Sequence, residues 1–166
     1  MTPFKEPKLF LGPMSKTIVD IVCDYPDPIG LIPSRRQIEY TGGYVNSWDT
    51  KQFASYVRSK SDSVMLVRDH GGPSQGDVSD DGSESLHHDC KNGFDMIHLD
   101  PWIRYDNLDD GIAYTIENIK RCLEINPDVR FEVGTEEAII RYSDAELEGL
   151  LRALQKSLGD DFDKID

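Results

Sequence analysis

Two short stretches of the chain carry residue types that could do chemistry. In VMLVRDHGGPSQG (64–76) an apolar run ends in Asp69 and His70, and two glycines and a proline follow at once. In DMIHLD (95–100), His98 and Asp100 stand two residues apart. A carboxylate beside an imidazole supports proton transfer, and an imidazole ligates divalent transition metals such as zinc. Alternation along an extended segment puts Met96, His98 and Asp100 on one face and Ile97 and Leu99 on the other. Burying an imidazole and a carboxylate is costly unless both are satisfied. The pair therefore either opens at the mouth of the fold, as metal ligand, acid/base or substrate contact, or closes into a histidine–aspartate hydrogen bond in the core. Glycines beside Asp69-His70 would let a ligand come close to the backbone. Ser34, Arg35 and Gln37 follow another apolar run, and Arg35-Arg36 could hold a phosphate or carboxylate bidentately. Glu136 follows the run VRFEVG (129–134).

The elements that must position these groups follow from the apolar pattern. Five short apolar runs, at 8–12, 29–33, 64–67, 95–100 and 129–134, alternate with helical patterns. Ser15 is placed to cap KTIVDIVCDY, which Pro26 stops, and Asp49 to cap TKQFASYVRSK. The helix LDDGIAYTIENIKRCLEIN ends before Pro127, and Ser143 with Glu146 has capping-box spacing at the start of SDAELEGLLRALQKSLG. The acidic stretch 74–86 reads as a mobile loop that turns helical towards Gly93, with His87-His88 as an exposed pair, and the polar tail GDDFDKID reads as frayed. Strands separated by helices imply βαβ units and a parallel sheet within one domain spanning residues 1–166. Two architectures share that pattern, an open doubly wound sheet and part of a (β/α)8 barrel. Length favours the open sheet, because a full barrel takes about 250 residues. In either case the candidate residues lie at the carboxyl ends of strands, where both architectures bind ligands.

Composition narrows the partners. The 166 residues carry a formal net charge of -13 with a pI near 4.6, so a nucleic-acid backbone or an anionic membrane surface would be repelled. No stretch approaches the roughly 20 apolar residues of a membrane span. The first residues, MTPFKEPKLFLGPMS, lack the apolar core of a signal peptide. Cys23, Cys90 and Cys122 show neither a disulfide framework nor zinc-ribbon spacing, and Cys23 and Cys122 read as small buried thiols. These features lead us to expect a cytoplasmic protein.

Four motifs in order resemble the accessory, non-catalytic subunit family of tagatose-bisphosphate aldolases. IPSRRQIEYTGGYVNSWDTKQFASYV is similar to that family's Ser-x-x-Gln segment, its GGY and its Asp-x-x-x-Phe helix. LVRDHGGP resembles its Asp-His-x-Gly-Pro strand end, GFDMIHLD its Gly-Phe-x-x-Ile-His-Leu-Asp strand, and FEVGTEE its Gly-Thr-Glu strand. Together they cover roughly residues 8–140. The family is similar to class II aldolases, so the resemblance implies parallel βα units of a (β/α)8 TIM-type barrel, about five of them present, in place of the open sheet. It also implies Asp69 as acid/base, His70 as a metal ligand and a divalent metal, most readily zinc, that polarises a substrate carbonyl. With the strand-end residues added, the expected site comprises Asp69 and Glu136 as catalytic groups, His70 and His98 as metal ligands, and Ser34, Arg35, Gln37 and Asp100 as contacts to a sugar phosphate or sugar acid. The chain departs from the class II pattern in having no histidine after His98, and PWIRYD replaces the family's small-residue run after HLD. An incomplete barrel would expose strand edges, so the chain reads as the N-terminal portion of a barrel, and a homo-oligomer, a partner chain completing the barrel, or further sequence is expected. Three roles fit: an aldolase-like enzyme, an accessory subunit that stabilises a separate aldolase, or a metal-dependent keto-sugar epimerase.

Overall fold

The alternation expected from the apolar pattern is present in the computed structural model, which describes residues 7, 9–39, 42–74, 79–134 and 141–166. In chain order the elements are β1 (Phe10–Leu11), α1 (Lys16–Asp24), β2 (Gly30–Leu31), α2 (Thr50–Lys60), β3 (Met65–Gly71), α3 (Ser83–Lys91), β4 (Met96–Leu99), α4 (Leu108–Ile125), β5 (Arg130–Val133) and α5 (Asp144–Leu158). A 3-10 helix, Gly159–Lys164, follows α5. Every strand pair is parallel, and the strands lie in the order β1-β2-β3-β4-β5. A doubly wound sheet reverses its strand order at a switch point. This sheet does not, and each helix packs against its successor from α1 through α5. The winding is that of a barrel wall: a partial, barrel-like run of five βα units. No helix among the described residues is long and apolar enough to cross a membrane.

Local chemistry explains where the helices begin. The Ser15 hydroxyl accepts from Ile18 N, and both Asp49–Gln52 and Ser143–Glu146 form complete capping boxes. Helix α3 starts at Ser83, inside the 74–86 stretch read as loop. Asp80 Oδ1 accepts from Gly82 N and Asp81 Oδ1 from Ser83 N, so the acidic side chains satisfy amides as the chain turns into the helix. On α3, His88 is exposed, but His87 is only half-exposed and its Nε2 is buried. Cys90 and Cys122 are buried thiols and Cys23 is half-buried.

Two apolar clusters make the core. One joins α1, α2, β2 and β3 around Phe53, Leu31, Leu66 and Phe94, and the other joins α3, α4, α5, β4 and β5 around Trp102, Phe131 and Ile119. Arg68 of β3 lies fully buried beside their boundary, reaching α2 and α3 at once. Its Nε and Nη2 bond the two oxygens of the fully buried Asp89 at 2.7 and 2.5 Å, and Nη2 also meets Thr50 Oγ1 at 3.2 Å and Glu39 Oε2 at 3.3 Å. Its Nη1 donates to Pro33 O. Desolvation opposes charging either partner, and the pairing offsets it.

The polar tail does not fray. Phe162 and Ile165 pack on the second cluster, Ile165 forms a parallel bridge with Phe131, and Asp166 pairs with Arg130. The tail thus adds along the outer edge of β5, in the direction a sixth parallel strand would take. Large apolar side chains are exposed on both outermost flanks: Leu9, Phe10, Ile21 and Tyr25 on β1 and α1 and the residues beside them, and Leu147 and Leu151 on α5.

Removing one partner of a buried ion pair strands the other charge. Asp89→Ala is therefore expected to lower unfolding stability by about 3–5 kcal/mol in urea denaturation, whereas Arg68→Met with Asp89→Leu should lose much less.

Candidate functional site

Neighbouring residues on a strand ordinarily point to opposite faces, which would separate Asp69 from His70. The β3–β4 register removes that separation. Arg68 lies opposite Ile97 and Gly71 opposite Leu99, so β3 fits three steps against two and carries a bulge across Asp69 and His70. His70 sits at the bulge with φ of 45°, an uncommon conformation for a residue with a side chain. The result is a cluster in which Asp69, His70 and His98 each offer a ligand atom, all within 4.8 Å of one another. The imidazole rings of His70 and His98 lie 4.9 Å apart.

The glycines after His70 serve this geometry in a different way from the ligand approach expected above. A Cβ on Gly71 would meet His98 O at 2.7 Å, and one on Gly72 would meet Asp100 O at 2.7 Å. They let the bulged strand lie tightly on β4. Asp100 N donates to Gly71 O across that contact at 2.8 Å.

Asp100 is 1% exposed, and its Oδ2 lies 3.1 Å from His70 Nδ1. That contact places the imidazole proton on Nδ1 and directs Nε2 to Asp69, whose Oδ1 is 3.8 Å away. The histidine–aspartate bond, one of the two alternatives for DMIHLD, forms between strands, with His70 in place of His98. His98 instead lies against β5. Its Nδ1 is 3.9 Å from Glu132 Oε2, and its Nε2 is buried with no hydrogen-bond partner. A Cβ on Gly134 would come within 2.3 Å of that Nε2. The Gly134 carbonyl accepts from the Trp102 indole, and Trp102 packs edge-on against Tyr142 at 5.2 Å.

The other expected contacts go elsewhere. Gln37 is buried and links strand ends, with Oε1 accepting from Ser34 N at 2.7 Å and Nε2 donating to Pro13 O at 2.8 Å. Ser34 bridges to Asp69, so it extends the β2–β3 pairing that carries the bulge. Arg35 is 5% exposed and bonds Glu39 and Asp80, fastening the start of α3 to the end of β2. A cavity of about 280 Å³ lies beside it, lined by Arg35, Asp80, Glu84 and His87 among others, apart from the histidine cluster. Glu136 lies outside the described residues. Gly134 and Tyr142 were not expected at the site. A glycine closing an apolar strand is a signal that could have indicated the first, whereas nothing around RYSD indicates the second.

Two imidazoles and a carboxylate suit a divalent transition ion, and zinc accepts this set. An imidazole held by a buried carboxylate through its other nitrogen is the support that metal ligands ordinarily have. The residues therefore fit the expected metal. Gly134→Ala is expected to push the His98 ring aside while leaving the core intact. Imidazole NMR resonances should report a displaced His98, with the unfolding midpoint nearly unchanged.

No family model matches the chain, and no curated protein matches it. Among solved structures it is similar to the crystal structure of a probable tagatose 6 phosphate kinase from Sinorhizobium meliloti 1021, with a TM-score of 0.68 at 13% identity, covering 96% of this chain and 46% of that one. The chain spans about half the length of that structure, and at this identity the likeness shows the fold alone.

Proposed function

We propose that the chain is an aldolase-like barrel protein that handles a sugar or sugar phosphate with a divalent metal, most readily zinc, held by His70 and His98 beside Asp69. The observation that carries this reading is the Asp69–His70–His98 cluster, assembled by a bulge at the carboxyl ends of the strands and oriented from behind by Asp100. Support also comes from the motifs that resemble those of the tagatose-bisphosphate aldolase accessory family and from the likeness to the structure of a probable tagatose 6 phosphate kinase.

A bound divalent cation would polarise a substrate carbonyl. Asp69 is half-exposed beside the imidazoles, so its carboxylate can take a proton from a carbon next to that carbonyl. Asp100 keeps the proton of His70 on Nδ1, and Gly134 leaves room for the His98 ring. The same groups could serve epimerisation, in which that carbon-bound proton is removed and returned, or carbon–carbon cleavage, in which a hydroxyl proton is removed, the C–C bond breaks to an enediolate and a triose is released.

The apolar flanks at β1–α1 and α5 favour a second reading, a non-catalytic subunit that associates with and stabilises a separate aldolase. In both readings those flanks would be covered by a partner chain, a second copy or further sequence of the same chain.

Cobalt(II) tests the metal site directly. Wild-type protein should give a visible ligand-field spectrum on cobalt addition, and His70→Ala and His98→Ala should each weaken and shift it. If cobalt leaves spectrum and thermal stability unchanged, the metal reading fails. Asp69→Asn should retain cobalt while losing about 10²–10⁴-fold of any turnover of ketose phosphates. In the accessory role, Asp69→Ala should leave activation of the partner aldolase intact.

A further inference from the structure

The cavity beside Arg35 plays no part in the metal cluster, yet two side chains on its lining carry buried polar atoms without a hydrogen-bond partner. It encloses about 280 Å³. One wall is the segment after β2, with Arg35 and Glu39; the other is the turn into α3 and α3 itself, with Asp80, Glu84, His87 and Lys91. Glu84, His87 and Lys91 recur at helical spacing and so share one stripe of α3. Arg35 is 5% exposed, and Glu39 and Asp80 engage its Nε and Nη2 while Nη1 has no partner. His87 Nε2, on the facing wall, is likewise buried and without a partner. One such atom needs an explanation, and two on the lining of one cavity suggest a common one.

The chemistry of the lining narrows what fits there. A guanidinium nitrogen only donates, so Arg35 Nη1 requires an acceptor. Burial holds the His87 imidazole below its usual range; Arg121 and Lys91 add to that, and Glu84 and Asp81 oppose it. His87 is therefore neutral at physiological pH, and with its proton on Nε2 it is a second donor. Donors from facing walls suit the two oxygens of a carboxylate. A phosphate dianion fits less well, because Glu39, Asp80 and Glu84 outnumber the cations Arg35 and Lys91 on the same lining. Glu39 and Asp80 are already paired with Arg35, whereas Glu84 is exposed. A ligand with one ammonium as well as one carboxylate meets that balance. It adds no net charge, and its ammonium has Glu84 to meet.

We propose that this cavity binds a small zwitterion of the amino-acid class, its carboxylate held by Arg35 and His87 and its ammonium by Glu84. With two nitrogens committed, Arg35 does not clamp an anion bidentately and offers its third nitrogen alone. The site needs neither the metal nor the sugar-handling reading.

Each common L-amino acid is screened against the whole chain by thermal shift, and the best is titrated by calorimetry with imidazole NMR. At least one should raise the unfolding midpoint and move the His87 resonances. His87→Phe should weaken its binding about tenfold, the loss of one hydrogen bond to a charged group. Arg35→Lys keeps a cation beside Glu39 and Asp80 but has no third nitrogen, and should weaken binding by at least as much. The 2-hydroxy acid with the same side chain lacks the ammonium and should bind about tenfold more weakly than the amino acid. Glu84→Gln should remove that difference. Half-buried His87 and exposed Glu84 can be replaced with the ligand-free midpoint nearly unchanged, so both variants report on binding. Equal amino-acid affinity in wild-type and His87→Phe overturns the proposal, as does a hydroxy acid that binds wild-type as tightly as the amino acid. Absence of binding by every amino acid also overturns it and would identify a water-filled cavity only.

Discussion

The buried pair of Arg68 and Asp89 is the constraint on which the site depends. Taking a guanidinium and a carboxylate fully out of water is tolerated only when nearly every donor finds an acceptor. Arg68 satisfies this with Asp89 from α3, Thr50 from the start of α2, Glu39 and the carbonyl of Pro33. Glu39 continues the chain of charges to Arg35, and Arg35 to Asp80 at the entry of α3. One ionic chain therefore fixes the end of β2, the course of β3 and the start of α3. Asp69 and His70 are the next two residues after Arg68, so their position follows directly from it.

What the ionic chain fixes, the bulge then uses. A regular strand would send Asp69 and His70 to opposite faces; the extra residue brings both to the rim with His98. The glycines around them each relieve a specific backbone or ring contact: Gly71 and Gly72 against β4, and Gly134 against the His98 ring. Asp100 stands behind the cluster and holds the His70 imidazole through one carboxylate oxygen.

Much of the fold was legible because its signals are local. Apolar runs bounded by proline and glycine marked all five strands, and Ser15, Asp49 and Ser143 marked helix starts through side-chain bonds to nearby amides. Strand order was not local. Length argued for an open sheet and the motif resemblance for barrel units, and the pairing of each strand with its successor agrees with the second. The tail misled for a related reason: Phe162 and Ile165 are sparse among acidic residues, yet two apolar side chains suffice to seat a short segment against β5. At the site, Asp69, His70, His98 and Asp100 could be named from residue type and spacing, but the His70–Asp100 partnership depends on a bulge that a linear pattern does not reveal. Arg35 looked like an anion clamp by type, and its guanidinium is instead engaged by Glu39 and Asp80. Tyr142 lies in a segment whose composition says nothing of the strand ends it approaches.

The central proposal is that this partial, barrel-like wall holds a metal with groups from two adjacent strands. X-ray absorption on the zinc-loaded protein measures that directly. The account predicts a first shell containing two imidazole nitrogens, reduced to one in His98→Ala with the carboxylate and water oxygens remaining. A shell of oxygen ligands alone, or a spectrum unchanged by loss of His98, would contradict it.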